Sequence, residues 1–454
     1  MSDEVLRRCD VLIRGGTVID GTGARAFRAD VAVAGDRVIA VGELSAVTAE
    51  LAIDAAGKAV APGFIDAHTH DDRALISGPD MAPKVTQGVT TVIAGNCGIS
   101  LAPLVADRRP PPPLDLLGNE EWYRFGSFAA YVDALETAPP AVNAGLLVGH
   151  STLRLHAMDD VGRPATSAEI AAMCAAVRDA MASGALGFST GLTYPPNAAA
   201  TTGEVVALAE MAAAAGGVYA THMRDEADRV EDALEEAFEI GRRAGLPVVI
   251  SHHKVARPRN FGRSRATLRR IERARNRQPV GLDVYPYTAG SSVLLPEEVG
   301  EGVRIMVTWS EPHPDLAGRD LEEIARMWGL SRREAAWRLT PAGGIFFLMD
   351  EEDVRRILAY PHTMIGSDGL PHDAHPHPRL WGTFPRVLGH YARDLGLLAL
   401  EDAVRRMTGL PAERFGLRDR GVVRAGAFAD LVVFDPDRVA DRATFDAPTR
   451  PASG

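Results

Sequence analysis

His68 and His70 stand two residues apart in the stretch PGFIDAHTHDD. At the end of a β-strand, where successive side chains alternate faces, that spacing sends both imidazoles to the same side, as metal ligands require. Alone the pair is weak evidence, because a histidine at a strand end is more often an ordinary polar residue. Its company is stronger. Cys97 follows the apolar run in GVTTVIAGNC, His222 closes GVYATH, His252 closes LPVVISH and Asp368 closes HTMIGSD. Five short apolar runs therefore each end in a metal-binding group, and thiolate beside imidazole selects zinc over magnesium or calcium. Such a metal polarises a carbonyl and acidifies a water, while Asp368 suits the general base that takes the water proton and returns it to a leaving nitrogen. The chemistry expected is metal-assisted hydrolysis of an amide, a cyclic amide, an ester or a deaminated ring.

Each residue also has a plainer reading. A free cysteine is usually a small buried hydrophobe, and Cys9 and Cys174 keep that reading, whereas the flanking glycines and strand-end position of Cys97 favour a thiolate. Hydrolytic barrels with two metals often bridge them through a carboxylated lysine at the end of strand four. ALGFSTGL contains none, and Lys58, Lys84 and Lys254, the only lysines among 49 basic residues, are not placed for that bridge. Cys97 is the natural substitute. Asp368 has the alternative of a simple turn residue. His253 points to the opposite side of its strand from His252 and reads as structural. His372, His375 and His377 fall in a proline-broken loop and read as a mobile rim segment rather than a second metal motif.

The elements that must position these groups follow from pattern. The first 59 residues read as short strands with turns at Gly15-Gly16 and Gly35-Asp36. From Val60 onward short apolar strands alternate with Ala-rich helical text such as SAEIAAMCAAVRDAMASG, which argues for βα units and a parallel sheet. Eight strand candidates end in a polar residue, the number that closes a (β/α)8 TIM barrel with its chemistry at the strands' C-terminal ends. RGVVRAGAFADLVVFDP, from about residue 418, returns to β character. The expected division is a small β-sandwich domain from residues 1–59 and 418–454, and a hydrolase barrel over 60–417 with an insertion at about 286–362. The long connection 98–141 and that insertion, helical around LEEIARMWGLSRREAAWRL, lie at the catalytic face, where long loops are usually functional.

Composition narrows the function classes. The 454 residues are 46% hydrophobic and carry a net charge of -11 without a basic stripe, which argues against disorder and against nucleic acid as a partner. No stretch reaches the ~20 apolar residues of a membrane span, and three scattered cysteines fit a reducing compartment. A cytoplasmic protein with a small-molecule substrate is expected, working as a monomer or low-order homo-oligomer.

PGFIDAHTHDD, GNCG, STGLTYPP, THMRDE, SHHK, DVYPY, IGSDG and HPRLWGTFPRVLG, in this order along nearly the whole chain, resemble the N-acyl-D-amino-acid deacylase (D-aminoacylase) branch of the amidohydrolase superfamily. The resemblance implies a TIM barrel with a β-sandwich built from both termini, and hydrolysis of N-acyl-D-amino acids to a carboxylate and the free D-amino acid. It implies Cys97, His222 and His252 as ligands of one tightly held zinc, His68 and His70 as part of a second, weaker site, and Asp368 as the acid/base. Lys254, Tyr285, Tyr194 and Arg379 become substrate contacts, with Thr193, Ser291 and Met349 bearing on side-chain preference. A cation makes independent sense, since an arginine can clamp the substrate's α-carboxylate. Relatives continue with further strands past ATFDAP, so a less stable small domain is expected here. The competing readings are a cyclic-amide hydrolase of the hydantoinase kind, which characteristically uses the missing lysine, and a catalytically silent barrel, which would be expected to have lost rim ligands.

Overall fold

The computed structural model describes residues 8–300 and 302–454. Strand Arg8–Val18 is the spine of a six-stranded sheet. It pairs antiparallel with Phe27–Ala34, which returns as Arg37–Gly42 through the turn at Gly35, a left-handed position with φ +57°. On its other edge the spine forks. Its first half runs parallel to Thr48–Asp54 and its end parallel to Ala59–Pro62, and Leu431–Phe434 pairs antiparallel with Ala59–Pro62. Both ends of the chain thus share one sheet, whose apolar face buries Ile13, Val18, Val31, Val38 and Val60 together.

Pro62 leads through Gly63 directly into the barrel. Its eight parallel strands are Phe64–Asp66, Val89–Ala94, Asn143–Gly149, Gly187–Gly191, Val218–His222, Val248–Ile250, Val280–Val284 and Thr363–Ile365, neighbours in sequence order. Hydrogen bonds from Ala67 N to Ile365 O, 3.2 Å, and from Asp368 N to His68 O, 2.8 Å, join the eighth strand to the first. Alternate residues Ile65, Ile93, Leu147, Ala220, Val249 and Met364 form one cluster with Leu410, Ala412 and Phe415 of helix Gly409–Phe415. The barrel is a packed core rather than a pore.

The surrounding helices carry the signals that start and stop them. Helix Ser167–Ala182 opens on a Thr166/Glu169 capping box, and helix Val230–Ala244 ends at Gly245 with φ +74°. The latter buries Val230, Ala233, Leu234, Ala237, Phe238 and Gly241, one stripe at helical spacing.

Between strands seven and eight, helices Leu321–Trp328 and Arg332–Leu339 occupy the text read as helical. They cover an antiparallel sheet, with Ala342–Phe347 between Ala289–Val293 and Arg304–Ser310, and share a separate core of Ile305, Val307, Leu321, Ile324 and Leu339. Helix Glu351–Ala359, inside the stretch expected to be inserted, packs on helix Ser264–Arg275 as an ordinary barrel helix. The connection after strand two holds a two-stranded ribbon, Leu104–Val105 with Arg124–Phe125, and helix Phe128–Thr137. Among the described residues no helix is long and apolar enough to cross a membrane.

Candidate metal centre and active site

His68 and His70 follow barrel strand one, Cys97 strand two, His252 strand six and Asp368 strand eight, while His222 is the last residue of strand five. Three of them sit on left-handed backbone: φ is +54° at Cys97, +35° at His252 and +50° at Asp368. For residues other than glycine this costs energy, and such strain gathers where a site must aim a side chain. Gly95 and Gly98, at +81° and +78°, flank Cys97, and a Cβ at Gly95 would lie 2.0 Å from the Leu147 carbonyl oxygen. Only glycine fits that turn.

The structure brings all six groups together. Cys97 Sγ lies 3.3 Å from both His68 Nε2 and His252 Nε2. Asp368 Oδ1 lies 3.2 Å from His70 Nε2 and 3.5 Å from His68 Nε2. The His222 ring stands edge-on to His252, centroids 4.5 Å apart. Three overlapping groups keep their ligand atoms within 4.8 Å of one another: His68, Cys97 and His252; His68, His70 and Asp368; His222, Glu226 and His252. Around Cys97 the nearest imidazoles are thus His68 and His252, with His222 reaching the cluster beside Glu226. The donors fit a metal. Burial pushes the Cys97 thiol up, but the imidazoles of His68 and His252 outweigh it and hold the thiol well below its usual range, toward the thiolate that binds zinc. The buried Nδ1 of His222, whose Nε2 faces Glu226, has no hydrogen-bond partner among the described residues, which leaves that ring a nitrogen free for a cation.

Carboxylates orient these rings. Glu226 Oε1 is 3.0 Å from His252 Nδ1 and accepts a 2.7 Å bond from Lys254 Nζ, while Oε2 is 3.5 Å from His222 Nε2. Burial alone would raise its carboxyl, yet Lys254, His222 and His252 hold it well below the ordinary range. Asp283 Oδ1 accepts from the His252 backbone N at 2.8 Å and lies 3.3 Å from His68 Nδ1. Lys254 Nζ also reaches His252 Nδ1 at 2.8 Å, so that ring is held between the lysine and the Glu226 carboxylate. Sequence reasoning singled out neither acid, although THMRDE places Glu226 four residues after His222.

A cavity of about 120 Å³ opens on these groups, lined by Tyr194, Lys254, Tyr285, Ser291, Phe346 and Leu348 beside the metal-binding side chains. Arg379, fully buried, holds Asp368 Oδ2 at 2.8 Å through Nη1 and donates from Nη2 to Ser291 O at 3.1 Å. Its guanidinium carbon lies 4.5 Å from the Tyr285 ring centroid, and Tyr194 Oη lies 3.0 Å from Ser292 Oγ. Thr193 lines a larger adjoining vestibule of about 680 Å³. Met349 lines neither space. Leu348 takes the wall and Met349 packs into the main core.

His253 lies outside the cavity, its Nε2 2.8 Å from Thr267 Oγ1. In the 372–377 loop, His377 Nε2 donates to Ala289 O at 3.0 Å and His375 Nε2 to Phe445 O at 2.6 Å, so both bind backbone. The described residues place none of that loop's histidines in a metal-binding group.

The chain matches the Amidohydrolase family over residues 51–283 and 318–453. It is 58% identical to a D-aminoacylase of Alcaligenes xylosoxydans xylosoxydans over its whole length and 94% of the relative's. It is 51% identical to an N-acyl-D-aspartate deacylase of the same organism, over 100% of this chain and 91% of that one. The crystal structure of a D-aminoacylase superposes with a TM-score of 0.96 at 58% identity, covering 98% of this chain and 94% of that one. An N-acyl-D-glutamate deacylase from Bordetella bronchiseptica, solved with zinc and a phosphonate mimic of the tetrahedral intermediate, gives 0.96 at 50% identity, covering 99% and 94%. A D-hydantoinase, at 15% identity and 0.55, shares the fold alone.

Proposed function

Because the chain belongs to the Amidohydrolase family, we propose that it hydrolyses N-acyl-D-amino acids to a carboxylate and the free D-amino acid, with zinc as its cofactor. One observation carries the reading. A thiol and four imidazoles converge with two carboxylates, Asp368 and Glu226, beside a cavity that also presents a lysine. Cys97, His222 and His252 would hold the tight zinc, with His68 and His70 at a weaker second site, and the metal would polarise the scissile carbonyl and acidify the attacking water.

The remaining work falls to the chain's own side chains. Burial would raise the Asp368 carboxyl, but Arg379, His70 and His68 hold it well below the usual range, so at neutral pH it is the anion a general base must be. It takes the water proton and delivers it to the leaving nitrogen. Lys254 and Tyr285 face the cavity beside Asp368, with Arg379 behind, and are placed to hold the α-carboxylate of the leaving amino acid. Tyr194 and Ser291 complete the wall. Three free cysteines suit a reducing, cytoplasmic setting in which Cys97 stays reduced.

The test is chiral analysis of the amine released from racemic N-acetyl-methionine by zinc-replete protein. Release of D-methionine alone is expected. Release of both enantiomers, of L-methionine or of neither overturns the reading.

A further inference from the structure

Lys84 lies on the short helix Ala82–Val85 after barrel strand one, yet its side chain is only 1% exposed. Its ammonium reaches inward to three groups. Nζ donates to Asp66 Oδ2 at 2.8 Å and to Ser367 Oγ at 2.8 Å, and lies 3.2 Å from Asp71 Oδ2. Asp66 in turn accepts from the Ser367 backbone N at 2.7 Å through Oδ1, which also lies 3.4 Å from the His68 backbone N.

The places of these partners are specific. Asp66 ends strand one, two residues before His68; Asp71 follows His70; Ser367 precedes Asp368. One buried cation therefore ties the segment that carries two ligand histidines to the segment that carries the acid/base. The backbone bond from Asp368 N to His68 O, 2.8 Å, runs beside this tie. A buried charge is costly to desolvate and is held only where its partners satisfy it. Here three partners do so. Among the described residues, none of the hydrogen bonds or ion pairs of the Lys84 side chain goes to Cys97, His222 or His252.

We propose that Lys84 is a positioning residue that sets the His68–His70–Asp368 side of the centre and reaches the Cys97–His222–His252 side only through His68, whose Nε2 lies 3.3 Å from Cys97 Sγ. Without the ammonium, Asp66 and Asp71 face each other uncompensated, and the loops they anchor lose their common fixed point. The geometry between His70 and Asp368 then loosens, while the cavity groups that hold substrate keep their places.

The inference rests on the proposed deacylation for its kinetic readout but not for its metal readout. In Lys84→Met, zinc titration against a chelating dye is expected to show the tight equivalent retained and the weaker equivalent bound about 10-fold less well, as loss of a ligand's supporting partner typically does. Turnover of N-acetyl-D-methionine is expected to fall about 100-fold with KM nearly unchanged. Ser367→Ala removes one strut without disturbing the charge balance. It is expected to lower kcat about 10-fold at constant KM, and it decides the question if Lys84→Met does not fold. A folded Lys84→Met with wild-type kcat and both zinc equivalents overturns the proposal, as does a loss that takes the tight zinc and KM along with kcat, or an unchanged Ser367→Ala where Lys84→Met is unfolded. If the unaltered protein releases no amino acid, the reaction assigned above falls and the zinc titrations still decide the role of Lys84.

Discussion

Cys97 is the residue on which the proposed centre turns, since its sulfur lies 3.3 Å from imidazole nitrogens of His68 and His252, just past strands one and six. Cys97→Ala should lose tight zinc and turnover together, the latter by at least about 100-fold, as read from zinc retained after dialysis and from the deacylation rate. Zinc-depleted protein that remains fully active would refute the role given to the thiol. The convergence of His68, His70, Cys97, His222, His252 and Asp368 was legible in the sequence because each ends a short apolar run, and strand ends are where a barrel collects its chemistry. Glu226 and Asp283 were not, because an acid behind a ligand shows no pattern of its own. Lys84 was legible only as a lysine not placed to bridge two metals. Its partners Asp66 and Ser367 are 18 and 283 residues away, and nothing local distinguishes a buried lysine from a solvated one.

Neighbouring βα units are fastened by contacts between elements. Glu204, on helix Thr202–Ala214, is buried against His150 and Arg154 on helix His150–Ala157, with His150 Nε2 2.9 Å from Glu204 Oε1 and Arg154 bonded to the same oxygen. Burial pushes the Glu204 carboxyl up, but His150 and Arg154 bring it down to about 2 from its ordinary 4.5. A carboxylate with a depressed native pKa stabilises the fold above its unfolded pKa and loses that contribution as pH falls through the native value. Glu204→Gln should therefore cost on the order of 2 kcal/mol at neutral pH, with the gap from wild type closing between about pH 5 and pH 2 in urea unfolding. A gap that is constant with pH would show that shape, not charge, matters at this contact. At this scale the helices of the 286–350 insertion were legible from their periodicity. Its three strands were not, since Ala342–Phe347 pairs with partners 32 to 58 residues earlier and its register lies in those pairings alone.

Across the whole molecule, the eight-strand count and the return of the C-terminal segment to the N-terminal sheet were both readable, because alternation and turn residues mark short strands even where their order is hidden. What joins the two bodies was less visible. Gly63 links strand Ala59–Pro62 to strand Phe64–Asp66 and donates its N–H to Asp430 O at 2.7 Å. A Cβ there would lie 2.2 Å from Thr90 Oγ1 and 2.8 Å from Thr90 Cβ. Gly63→Ala should thus destabilise by about 1–3 kcal/mol and lower the thermal midpoint by several degrees, as forced overpacking does; an unchanged midpoint would mean the seam yields freely. The left-handed backbone at Cys97, His252 and Asp368 reaches further than this protein. Copying the same side chains onto the ordinary extended strand ends of another barrel would aim them at other points in space. A transplant has to bring the turns first, with Gly95 and Gly98 beside the cysteine, so what a designer would have to borrow is a set of bends in the main chain to which these side chains are attached.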